Sequence, residues 1–494
     1  MTETASGQLG TGSGSIPTGW HAASGKAGRP TRVLYLYLFL FIPLFNVALD
    51  AFVFTWHGRT IPDAISLIKE LVWIGVLLYY AYRFFLDRPA IRIPRLAAMA
   101  AAAFFLWQAA EWFRALPHLG HLQALLAVRN SLLYMPAMVI AAGLAQDEAD
   151  WENIADYLSA IALLAGAYAL LQLWGVLNSR WRILAGSAGG GPVVPAFFSD
   201  YDVFAYFAAA AFMLVVSALR PGRVSWLRVA GAVSAGVCVF VSESRGALGA
   251  WVLGIGVILL LGGWRRELVR VLAAVVIVDG LVLAVTPPLL ASPRLLFGVF
   301  YRPPAPRTAI QPLPSPAPAR PRVVLPPTAM SGMNQNLRDV RLRRDWPSLL
   351  HTFKQSPVVG YGLGTFGFAA LSAAERSGPV ADPLGVDNYY LTLGLNTGII
   401  GVIFFLALMY AVLSHGLQAL SMLADRPALR NVLIGLIAAL AVFLACGIFS
   451  NLIESFPISA FFWFIVGTIC AWPPESNGRP GPVQGHPGAV TRMR

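Results

Sequence analysis

Long apolar runs recur from one end of the chain to the other, and they restrict its fold more than any other feature. Twelve of them read as membrane spans, at approximately 33–55, 64–84, 95–113, 124–145, 154–177, 197–219, 227–242, 246–263, 269–290, 389–413, 431–450 and 457–472. A hydrocarbon core of roughly 30 Å takes about 20 apolar residues as helix, and backbone inside it must satisfy its own hydrogen bonds. Only 12% of the residues are charged, against about 25% in an ordinary globular domain. Such a chain cannot cover itself for water. The expected fold is an all-α polytopic membrane protein of about twelve transmembrane helices, two of them short (227–242 and 246–263) and separated only by SESR.

The net charge of +12 invites a nucleic-acid partner, but its placement argues against one. Lys26, Arg29 and Arg32 precede the first run, and Arg83, Arg88, Arg92 and Arg95 follow the second. Arg220, Arg223 and Arg228 lie between the sixth and seventh, and Arg265, Arg266 and Arg270 between the eighth and ninth. Arg426 and Arg430 follow the tenth, and Arg479, Arg492 and Arg494 end the chain. All of these fall on one side if both termini are cytoplasmic, as the positive-inside rule places them. The segment QDEADWEN at 146–153 is the one inside loop without such support. The expected organisation is a polar cytoplasmic tail at 1–30, spans one to nine within 31–290, and a long extracytoplasmic loop at 291–388. Spans ten to twelve within 389–472 and a second tail at 473–494 complete it. Residues 1–30 are Gly/Ser/Thr-rich rather than apolar, so no cleavable signal peptide is expected. Cys238, Cys446 and Cys470 fall inside spans and read as small buried apolar residues.

The arginines on the other side are not explained by topology. Arg245, in VSESRGALGAW, turns between the two short spans at membrane depth. An ionisable residue there usually faces a partner or a water-filled cavity. Either it closes the turn, with Glu243 or a carbonyl, or its rigid fork of donors holds a phosphate. Arg129, in LLAVRNSLLYMP, carries the same two readings. In the long loop, residues 302–327 are proline-rich and read as extended chain. Residues 335–355 (QNLRDVRLRRDWPSLLHTFKQ) alternate apolar and basic positions at helical spacing. Pro347 is tolerable there only where a helix starts or kinks. This amphipathic helix either lies on the outer leaflet or presents arginines to an anionic lipid-linked substrate, and the two readings are compatible.

Beyond it, SPVVGYGLGTFG at 356–367 reads as a tight glycine turn, and GVDNYYLTLGLNTGIIG at 385–401 opens from a polar pair into an apolar run. Asp387 or Asn388 caps the helix, or the pair stands at the mouth of a site. Asp200, Asp202 and Glu454 are the other carboxylates at that side, with a cap or loop role favoured for each.

Several of these pieces occur in one order: SRGA at 244–247, Trp346, SPVVGYGLGTF at 356–366 and DNYYLTLGLNTGIIG at 387–401. Together they resemble the bacterial O-antigen ligase and polysaccharide polymerase superfamily over roughly residues 196–470. Trp346, Pro357, Gly360, Gly362, Phe366, Asp387, Asn388, Leu391, Gly398 and Gly401 fill the places of the family pattern. The resemblance implies a glycosyltransferase of GT-C-like architecture in the bacterial inner membrane. It implies transfer of a glycan from undecaprenyl pyrophosphate to a glycan or lipid acceptor, among membrane lipids, with flippase and chain-length regulator proteins as candidate partners. In that chemistry the leaving pyrophosphate needs positive groups, Arg245 first, then Arg341 or Arg343 and Arg182, with Arg129 also a candidate. Asp387, with Asn388 beside it, would take the acceptor proton. No DxD or histidine-rich cluster stands out, so neither metal nor cofactor is expected. Ligases of the superfamily carry histidine where this chain has Asp387, which favours joining repeat units over attaching finished chains. A ligase and a transporter of lipid-linked sugars remain the alternatives.

Overall fold

The computed structural model describes residues 31–45, 68–87, 91–144, 148–174, 194–219, 225–285, 346–370 and 387–472, excepting a few positions such as Glu243. Both tails, the proline-rich stretch, Arg182, Arg341, Arg343 and Asp200 lie outside these residues. Helix α1 (Thr31–Leu36) continues into a π turn at Tyr37–Phe41. Then come α2 (Ile68–Asp87), α3 (Arg95–Ala115), α4 (His121–Ser131), α5 (Pro136–Gly143), α6 (Glu148–Leu173) and α7 (Tyr201–Ser217). They are followed by α8 (Trp226–Val241), α9 (Arg245–Gly262), α10 (Arg266–Val285), α11 (Trp346–Gln355), α12 (Tyr389–Met422), α13 (Pro427–Phe449) and α14 (Ile458–Cys470). No strand occurs among the described residues. By length and composition six stretches can cross a membrane: 95–118, 121–143, 150–173, α9, α12 and α13, with α7, α8 and α14 as shorter apolar helices. The chain is an all-α polytopic membrane protein.

Helices α7, α13 and α14 are apolar all round, and they form the centre. Every residue of α7 from Val203 to Ser217 is buried, and so is every residue of α14. A helix without a polar face belongs inside. Around them α9 and α7 pack on α13, α3 on α12, α5 on α14, and α8 between α6 and α10. Without a hydrophobic force between helices in lipid, contacts rest on small residues that let backbones approach. A Cβ on Gly467 of α14 would stand 2.0 Å from the Met138 carbonyl oxygen of α5, and one on Gly231 of α8 2.5 Å from Ser159 Cα of α6.

Three expectations change. The run 124–145 is not one helix but α4 and α5, interrupted at 132–135. Pro136 has no N–H, and its ring clashes with the carbonyl one turn back. The freed Leu133 carbonyl accepts from Trp73 Nε1 at 2.8 Å. The acidic segment 146–153 is not all loop, since residues 148–153 are the first turns of α6. Arg228 braces this part of α6: its Nε donates to Asp156, just beyond the segment, at 2.6 Å and its Nη2 to the Glu152 backbone carbonyl at 3.1 Å. Tenth, α12 runs to Met422, nine residues beyond the expected end, although Gly398 inside it has non-helical backbone angles (φ 66°, ψ −173°). Pro347 is the second residue of α11, where a proline costs nothing. The three cysteines are buried.

The helix ends sort into two groups. Arg430 Nη2 donates to Leu261 O at the end of α9, and Arg228 sits at the start of α8. At the opposite end Gly246 faces Phe449, and Asn388 reaches Ile448. Replacing Gly467 with valine should lower the melting temperature in detergent by several degrees, since over-packing costs about 1–3 kcal/mol. Gly75→Ala, with nothing within 4 Å of the new Cβ, should leave it unchanged. Size-exclusion detection of the heated protein reads both.

Candidate active site

The backbone around Gly398 organises this end of the bundle. A break there frees the carbonyls that would close the next helical turn and the N–H groups that would reach back. The glycine loop at 356–367 takes them. Tyr361 N donates to Leu395 O at 2.8 Å and Gly362 N to Asn396 O at 2.9 Å, while Ile399 N donates to Pro357 O at 2.8 Å. Trp107 Nε1 of α3 donates to Thr397 O at 2.8 Å. The Asn396 side chain completes the seam, accepting from Phe366 N at 2.9 Å. Only glycine fits position 398: φ is positive, and a Cβ would fall 2.0 Å from Val358 O.

The loop is held from its other side by α3 and α4. Arg114 Nη2 donates to Val359 O at 3.0 Å and Gly360 O at 2.9 Å, while its Nε pairs with the buried Glu111 at 2.7 Å. Leu363 N donates to Glu111 O, and Gln123 Nε2 to Gly364 O. The amides of residues 360–363, 365 and 366 all donate within the protein. They are therefore not turned to a phosphate, and the tight-turn reading of the glycines is the one the geometry bears out.

Among the site candidates, Asn388 caps α12 and Asp387 does not. Asn388 Oδ1 accepts from Leu391 N at 2.9 Å, and its Nδ2 donates to Ile448 O at 2.9 Å. One buried amide thus closes the start of α12 and the end of α13. Asp387, one residue earlier, is exposed. Arg245 is half-buried at the first position of α9, and Gly246 after it lies against Phe449 and Tyr206. Asn388 and Gly246, the neighbours of Asp387 and Arg245, thus both lie against the last residues of α13. Arg129 does not join them. Its Nε pairs with Glu70 of α2 at 2.6 Å, above the α4–α5 break, the internal pair that was one of its two readings. Glu243, Arg182, Arg341 and Arg343 lie outside the described residues.

The turn that follows α13 brings in residues that the sequence ranked low. Asn451 and Glu454 are 4% and 7% exposed, and Asn451 Nδ2 donates to Glu454 Oε2 at 2.9 Å. Asn451 Oδ1 is buried with no hydrogen-bond partner. Gly367 (φ 85°) ends the glycine loop against this pair: a Cβ there would stand 2.7 Å from Asn451 Nδ2 and 3.1 Å from Glu454 Oε2. Burial raises the Glu454 carboxyl from the usual range to about 7, with the Asn451 amide opposing the shift. The only signal in the sequence was a lone polar cluster, SNLIES, between two runs of unbroken apolar residues.

Residues 230–406, from α8 through the break in α12, match the family model described as O-antigen ligase. This stretch is similar to the O-antigen ligase family. The resemblance carried by Arg245, the glycine loop and DNYYL is thereby supported, and the loop-to-Gly398 seam lies wholly inside the match. Members of the family are glycosyltransferase-like enzymes. No curated protein matches the chain. Asn451 and Glu454 fall outside the matched residues.

Two substitutions separate structure from chemistry at the polar pair. Asn388→Ala removes a cap worth about 1 kcal/mol and leaves the Ile448 carbonyl unpaired, so the melting temperature should fall, whereas Asp387→Ala should not move it. Arg114→Ala should speed hydrogen exchange of the amides at 360–363 relative to α13, as mass spectrometry of peptic fragments reads.

Proposed function

We propose that the protein joins glycan repeat units carried on undecaprenyl pyrophosphate, a polysaccharide polymerase acting at the extracytoplasmic face of the bacterial inner membrane. The observation that carries the reading is that Gly246, next to Arg245, and Asn388, next to Asp387, both lie against the end of α13, within or beside residues similar to the O-antigen ligase family. The acceptor hydroxyl attacks the anomeric carbon, and the bond to the carrier phosphate breaks with its electron pair on the pyrophosphate. Arg245 meets that charge, where a fixed guanidinium in low dielectric is worth far more than in water. Arg341 or Arg343, which precede α11, and Arg182 are proposed to add to it. Asp387 stands where ligases carry histidine, and its exposure suits a residue that receives the acceptor chain. Flippase and chain-length regulator proteins are the proposed partners, and the chemistry is proposed to run without a metal.

The transporter alternative loses support. Discontinuous helices in transporters leave free backbone lining a cavity, and among the described residues there are interruptions at 132–135 and at Gly398. Yet Trp73 takes the Leu133 carbonyl, and the loop with Trp107 takes the backbone around Gly398.

In a strain lacking the gene, Arg245→Ala should lower the amount of multi-repeat glycan by about 100-fold or more, with single repeat units still attached to carrier or acceptor. Asp387→Ala should shorten chains, and Asp387→His should not restore the wild-type distribution. Loss of all attachment to lipid A-core, with long carrier-linked chains accumulating, would instead identify a ligase. Normal glycans from a properly inserted Arg245→Ala protein would overturn the site.

A further inference from the structure

We infer that Glu454 is the general base of this transfer and that Asn451 positions it. The inference rests on the glycosyl-transfer reading above and adds a catalytic pair from outside the family match. A general base for a sugar hydroxyl must be held in one geometry, within hydrogen-bond reach of the hydroxyl it deprotonates, and a carboxylate can do this. Asp387 is exposed, whereas Glu454 is buried and held. It sits in the 3-10 turn Leu452–Glu454 between α13 and α14, and its N–H donates to Asn451 O at 3.3 Å while Asn451 Nδ2 fixes Oε2 at 2.9 Å.

The buried Asn451 Oδ1 has no partner. An acceptor left bare next to a carboxylate is an expensive arrangement unless a donor arrives. A sugar presents adjacent hydroxyls, so one can donate to Asn451 Oδ1 while its neighbour gives its proton to Glu454. The wall opposite is Gly367, where even a methyl group would press on both side chains. In the step, the acceptor oxygen bonds to the anomeric carbon and its proton passes to the Glu454 carboxylate. The anomeric C–O bond to phosphate breaks, and its electron pair leaves with the pyrophosphate.

The surroundings keep this carboxyl titrating in a useful range. Tyr389 and Thr392 approach from α12. The loop residues GLGTFG at 362–367, the first turns of α14 (ISAFFWFI) and the rest of SNLIESFP carry no ionisable side chain. Cys446 lies in the last turn of α13. Desolvation therefore dominates and places the group at about 7, so the base form fills as pH rises through neutrality.

The test is the initial rate of glycan transfer by the full-length protein in proteoliposomes, supplied with carrier-linked repeat units extracted from the gene-deleted strain. Wild-type kcat/KM should rise with pH around a midpoint near 7. Glu454→Gln should lower kcat at least about 100-fold, hold KM for the donor within about threefold, and flatten that limb. Asn451→Ala removes the hydrogen bond that favours the carboxylate, so the limb should move to higher pH, a shift that a merely structural role would not produce. If Glu454→Gln fails to insert, Glu454→Asp and the Asn451→Ala profile decide: an unmoved limb in both overturns the inference. A near-normal rate for Glu454→Gln while Arg245→Ala is inactive sinks the base and leaves the transfer reading intact. Normal rates for both variants overturn both residues' roles, and no transfer by the wild-type protein sinks the transfer reading itself.

Discussion

A helix broken in the membrane must find partners for the backbone it sets free, and the end of this protein is built around that demand. At Gly398, α12 gives up its regular hydrogen bonds, and a loop from the preceding segment supplies replacements in both directions. In water such a break would cost little. In hydrocarbon each unpaired group costs several kcal/mol. The glycine loop is therefore tied to one place, and Arg114, Gln123 and Trp107 reach it from α3 and α4 to hold it there.

Arginines brace both ends of the bundle. Where α6, α8, α9 and α13 have their termini together, Arg228 is spent on Asp156 and Arg430 on Leu261 O. At the other end Arg114 is committed to Glu111 and the loop. A positive residue at membrane depth is costly wherever it stands, and each of these three is met by a carboxylate or a backbone carbonyl.

Much of the fold was legible because helix boundaries follow apolar runs, and α8 and α9 fall almost where VSESR divides them. The interruption at 132–135 was also written in the sequence, in Pro136, but the unbroken hydropathy on either side hid it. Period and hydropathy register what a stretch avoids, not where its backbone turns. The site was legible in part. Arg245 and Asn388 stood out as polar residues out of place, and Gly398 stood in the family pattern without its purpose being visible. Which member of the Asp387–Asn388 pair turns inward depends on Ile448, 60 residues later, and no local pattern encodes that. Glu454 was read as a cap or loop residue, and Asn451 was not singled out, because a polar turn between spans is ordinary until Gly367 is seen against it.

The seam at Gly398 also bears on biogenesis. Its partners, Trp107, Pro357, Val358, Tyr361 and Gly362, all precede it in the chain. A ribosome delivering this protein to the membrane therefore makes every group the break requires before the break itself emerges. The first half of α12 never has to wait in lipid for a segment not yet synthesised. A circular permutation that placed α12 ahead of α3 would keep every contact of the finished protein and reverse that order.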